Sequence, residues 1–184
     1  MSSKRSTCAG IGCATLIVIG IVVGVVAGIF ALVSHNKQEN ALKPFKPHLS
    51  EYVAQARATA PGKTKPYVLG KVVVVDLERK DFDHLMFDLP DGLLAKDPDE
   101  VGTVVQITSR TEVVGTYPSG DKGYKYMVEV RLIDLKKGLL LATRIFEGGD
   151  PPKTKNKDSG DAYGYKPTTE IVTWLTSLPT KSLD

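Results

Sequence analysis

Cysteine is nearly missing from this sequence. Its 184 residues hold two, Cys8 and Cys13, both at the start of an apolar run near the N-terminus. The chain beyond that run therefore has no internal disulfide, no Cys-ligated zinc and no thiol nucleophile. Histidine is scarce as well: there are three, and only His84 falls in the part that reads as folded. No asparagine is followed two places on by Ser or Thr, so there is no glycosylation acceptor. An excess of one charge is also lacking. The chain has 24 Lys plus Arg against 21 Asp plus Glu, and only Lys4 and Arg5 precede the apolar run, which leaves 22 basic against 21 acidic residues after it. A surface that neutralises a nucleic-acid backbone needs dense positive charge, and this balance argues against nucleic acid as the main partner.

What is present first is one long apolar stretch. From Cys8 to Val33 the one clearly polar side chain is Thr15, and no charge occurs. As a helix this run is ~39 Å long, more than the ~30 Å hydrocarbon core requires. A cleaved signal peptide is shorter and ends on a small-x-small pattern that Ile29 to Ser34 does not offer. A lipoprotein anchor would place Cys13 after the stretch, not ahead of it. The reading is a polar tail over residues 1–7, a transmembrane helix over 8–33 in the lipid bilayer, a stalk over 34–66 and a soluble domain over 67–184. Lys4 and Arg5 on a short tail suit a single-pass signal-anchor in the cell membrane with an extracytoplasmic domain. Lys37, Lys43 and Lys46 on the other flank nearly balance them. Gly20, Gly24 and Gly28 recur at four, so one face of the helix allows another helix to approach closely, either a second copy or a protein partner.

The soluble part reads as α+β, with a largely antiparallel sheet of about five strands and a packed C-terminal helix. Pro44, Pro47, Pro61 and Pro66 mark the stalk, with room for a short helix over Ser50 to Ala58. Val68 to Leu77 reads as a central strand because Val72 to Val75 are apolar on both faces. A short helix is expected at Asp91 to Lys96, then strands at Val101 to Ser109 and Glu112 to Tyr117. In Tyr124 to Asp134 the residues Tyr126, Val128, Val130 and Leu132 alternate with Lys125, Met127, Glu129 and Arg131. A tight turn at Leu135 to Gly138 then leads into Leu139 to Phe146 as a hairpin. Glu147 to Lys166 reads as a long loop. Pro167 opens a helix whose Ile171, Trp174, Leu175 and Leu178 share one face.

Chemical motifs are few. His84 stands between Asp81, Asp83 and a proline-bounded segment, with no second histidine or ligand spacing to support a metal or general base. Asp97, Asp99 and Glu100 read as turn residues that satisfy local donors. Gly115 to Lys122 lacks the Gly-Lys-Ser/Thr ending of a phosphate loop. No cofactor is implied. The long loop carries the candidate binding residues Lys153, Lys155, Lys157, Tyr163 and Tyr165, since structureless loops of that length are usually functional or disordered.

Glu100-Val101-Gly102-Thr103-Val104-Val105, then Phe146 with Gly148 and Pro151-Pro152, then Gly164 with Trp174-Leu175, resemble uncharacterised membrane-anchored domain proteins of bacteria. The likeness covers Val68 to Pro179 and implies no activity and no catalytic residue. The Val128 to Phe146 hairpin also looks like those in small α/β domains of envelope lipoproteins. The expectation is a membrane-tethered, non-enzymatic domain that binds a protein or envelope component. The alternative is a small hydrolase or accessory enzyme using His84 and nearby carboxylates.

Overall fold

The β-branched run Val72 to Val75 has no exposed surface at all, and it forms the middle of strand β3 (Lys71–Asp76). A segment apolar on both faces can be covered on both faces, and this one is. The structure, a computed structural model, describes residues 37–61, 65–155 and 160–183. It is a mixed α+β fold with one large sheet and few helices. The other strands are β1 (Ala58–Thr59), β2 (Val68–Leu69), β4 (Asp81–Phe82), β5 (Val101–Thr116), β6 (Lys122–Asp134), β7 (Leu139–Glu147), β8 (Ala162–Tyr163) and β9 (Thr180–Lys181). The seven-stranded sheet runs β1-β7-β6-β5-β3-β4, with β8 added to β6, and β2 pairs β9 separately.

The sheet is built around the antiparallel β5-β6-β7 meander. The β6–β7 hairpin forms as its alternation requires, and Gly138 takes φ 63° in the turn, where a side chain would be strained. β3 joins β5 in parallel, because residues 77–100 cross over before returning. Register places Val105 and Ile107 of β5 on one face with Leu132, Val130 and Val128 of β6. The C-terminal helix, Thr168–Ser177, meets that face where Trp174 packs on Phe146 at 5.6 Å between ring centroids. The opposite face presents Gln106, whose buried amide donates to the carbonyls of Tyr52 and Ala54.

Several expectations need correction. The folded unit begins at Pro44, so it takes in much of the segment read as a stalk. Phe45 and Tyr52 are buried against Phe82, and β1 pairs with β7. Ahead of that unit, residues 37–42 are helical. The two strands expected across 101–117 are a single β5, which passes Arg110 and Thr111 without a turn and is bulged at Val114. Asp91 to Lys96 is a turn, not a helix, because its backbone joins the sheet: Leu94 bridges Val72, and Ala95 donates to the Val72 carbonyl. A short 3-10 helix forms instead at His84–Asp88, capped by the Asp83 carboxylate. Val68 to Leu77 is broken at Gly70 into β2 and β3. Among the described residues no helix is long and apolar enough to cross a membrane. The expected span at 8–33, with Gly20, Gly24 and Gly28, lies outside the described residues.

Candidate functional site

β5 and β6 run well past the core, and burial falls away along β5 from Thr108, with residues 110–116 exposed. The hairpin closes over Tyr117 to Asp121, where Tyr117 N–H donates to the Asp121 carbonyl and Gly120 N–H to that of Tyr117. The segment after β7 folds back against this arm. Gly148 donates to Tyr126 and Gly164 to Tyr124, both on β6, while Gly149 donates to Tyr165. Backbone crosses backbone here: a Cβ on Gly148 or Gly164 would overlap the main chain of Tyr165 or Gly149. Glycine is what lets the two ends of the loop touch.

Of the five loop residues read from sequence, four are described. Lys157 lies outside the described residues. Lys155 is not free for a partner: its ammonium pairs with the Asp121 carboxylate, donates to the Gly160 carbonyl and sits 5.3 Å from the Tyr117 ring centroid. The Lys155 bond, with a second from the Ser119 hydroxyl, holds the Asp121 carboxyl below its ordinary value. This pair fastens the loop to the hairpin tip. Tyr163 stacks on Tyr124 at 5.0 Å and 14°, which spends one face of the ring while half of the residue stays exposed. Tyr165 packs on Gly149 and is 63% exposed, the most open of the large apolar residues among those described. Lys153 is exposed.

Lys153 opens onto two adjoining grooves of about 400 and 590 Å³. Their walls include Val114, Tyr117 and Pro118 from the hairpin and Pro151 and Pro152 from the loop. The Tyr117 hydroxyl donates to the Pro152 carbonyl, joining the two walls. None of these residues was among the binding residues expected from the sequence. The doublets Tyr117-Pro118 and Pro151-Pro152 were the available signal, since both present rigid apolar surface in otherwise polar loops. The arrangement offers packing surface and a cation; the Ser119 hydroxyl at the groove donates to the Asp121 carboxylate, which the Lys155 ammonium already pairs.

His84 is exposed at the first position of its 3-10 helix and borders neither groove. The carboxylates around it serve the backbone and Arg79. Asp81 accepts from Phe82 N–H, and Asp83 accepts from Leu85 N–H and from Arg79 at 2.7 Å. Asp97 likewise accepts from Asp99 N–H, and Glu100 from Lys96 N–H. Against this geometry, no protein-family model, no curated protein and no solved structure matches the chain.

Proposed function

We propose that this protein is a membrane-tethered, non-enzymatic binding protein whose folded domain meets a protein or envelope component through the end of the β5–β6 hairpin and the loop that folds onto it. The observation that carries the reading is the groove between Tyr117-Pro118 and Pro151-Pro152, with Lys153 at its mouth. Rigid aromatic and proline surface costs little conformational entropy to bury, and a rim cation speeds encounter with a partner. The apolar run from Cys8 to Val33 supports the tether, and Lys4 with Arg5 ahead of it supports an extracytoplasmic domain. Gly20, Gly24 and Gly28 supply a face for helix packing in the bilayer.

The test is a complementation assay in the native host, paired with crosslinking from its membranes. Tyr117→Ala with Lys153→Ala should abolish both function and the crosslinked species, whereas His84→Ala should leave both intact. Loss of function on His84→Ala in a folded protein, with the groove variant unaffected, would overturn binding in favour of hydrolysis. Replacing the three glycines with Leu should reduce crosslinking between copies without preventing insertion.

A further inference from the structure

One stretch of sheet edge has no neighbour among the described residues. β3 accompanies β5 only to Asp76, opposite Ile107, while β5 continues to Thr116. Beyond Ile107 its described partner is β6 alone. The direction of its backbone groups follows from two bonds. Leu135 N–H reaches the Gly102 carbonyl from the β6 side, and Leu77 N–H reaches the Ile107 carbonyl from the β3 side. Backbone groups alternate sides along a strand. Ser109, Thr111 and Val113 therefore turn their N–H and C=O groups to the open edge. The bulge at Val114 closes this window at its far end.

Charge usually guards such an edge against pairing. Here the two charges are Arg110 and Glu112, 3.3 Å apart, exposed, opposite in sign and symmetric about Thr111. We propose that this edge pairs with the same edge of a second copy, antiparallel, about a two-fold axis at Thr111. In that register Thr111 faces its own copy and Ser109 faces Val113 at either side. Each of these three pairs exchanges two backbone hydrogen bonds. Arg110 of each copy then lies across from Glu112 of the other, on one face of the joined sheet, so the charges that would repel a foreign strand attract this one. Moving the axis by one residue sets Arg110 against Arg110 or Glu112 against Glu112. Complementarity thus selects both the occupant and the register, and it does so independently of the groove.

The test uses the full chain with Cys8→Ser and Cys13→Ser, in detergent micelles. Thr111→Cys places two thiols on facing residues whose Cα atoms are about 5.5 Å apart, within disulfide range. It should crosslink on mild oxidation, whereas Lys96→Cys, exposed on the far side of β3, should not. Arg110→Glu and Glu112→Arg, each added to Thr111→Cys, should weaken association about tenfold, since each replaces two attractive cross-strand pairs with repulsive ones. The double exchange should restore it. The two single variants, mixed, should crosslink to each other in preference to themselves. Equal yields from Thr111→Cys and Lys96→Cys would assign the association to the apolar N-terminal run and overturn the proposal. Indifference to the charge exchanges, or crosslinks from the Thr111→Cys variant to other proteins only, would overturn it too.

Discussion

Tyr67 and Asp134 form a buried polar pair in the core: the phenol donates to Asp134 Oδ2 at 2.7 Å, and Lys137 N–H donates to Oδ1 at 3.0 Å. The Lys181 ammonium lies 3.5 Å from the Tyr67 ring centroid. The bond to Asp134, then burial and the carboxylate charge, push the phenol up to about 12. A folded pKa above the unfolded one stabilises below the unfolded value and is lost as pH rises through the folded value, so this contribution fades between about pH 10 and 12. Tyr67→Phe removes the donor to one oxygen of a buried carboxylate and should cost about 1.5–3 kcal/mol in urea denaturation at pH 7. The variant should also lose part of the alkaline destabilisation of the parent, and an unchanged alkaline profile would refute the assignment. Nothing in the sequence pointed to this pair, because the two residues stand far apart and neither alone departs from an ordinary surface type. At Asp76 burial raises the carboxyl, but the backbone and guanidinium of Arg79 and the Glu78 N–H outweigh it and hold the group below its usual range.

At the level of elements, periodicity told most where one face is apolar and the other polar. β6 and the C-terminal helix are of that kind, and both lie where alternation and helical spacing put them. At β5 both halves were expected as strand, but a break was expected between Ser109 and Glu112, because the exposed Arg110 and Thr111 interrupt the apolar pattern through which the strand runs. Periodicity failed at Asp91 to Lys96, where a helical composition is overridden by bonds to the edge of β3. Within the C-terminal helix the sequence put Ile171, Trp174, Leu175 and Leu178 on one face. The structure buries Leu175 and Ile171 most deeply, at 0% and 2% exposed, while Trp174 is half-buried under Arg144 beside Phe146. Leu175→Ala should therefore cost about 2–5 kcal/mol, and Trp174→Ala less than the ~3–5 kcal/mol of a fully buried aromatic. Chemical denaturation of the two variants checks the order, and a larger loss at Trp174 would reverse it.

For the molecule as a whole, the chief surprise is the segment before β2. Its prolines read as a spacer, yet Phe45 and Tyr52 are almost fully buried. The signal was present in those two aromatics, but proline composition outweighed it, because proline forbids long helices without forbidding packing. Gln106 holds this segment by donating to Tyr52 and Ala54 at 2.9 and 2.7 Å, with its own Oε1 buried and unpartnered. Gln106→Met keeps the volume and removes both donors, so it should cost about 1–3 kcal/mol and raise hydrogen exchange over residues 44–61 ahead of the sheet. Uniform exchange across the domain would show that the segment and sheet open as one.

The position of β1 also bears on how the chain comes off the ribosome. Ala58 pairs with Leu139 and Thr59 with Leu140, while Phe45 and Tyr52 rest on Phe82. The aromatic end of the segment thus meets its neighbours early in synthesis. Ala58 and Thr59 must wait for residues roughly 80 places later, on the order of 4–16 s at about 5–20 residues per second. During that interval the nascent chain holds an unpaired strand ahead of the sheet, and a ribosome stalled before Leu139 would leave it cleavable by protease at Arg57.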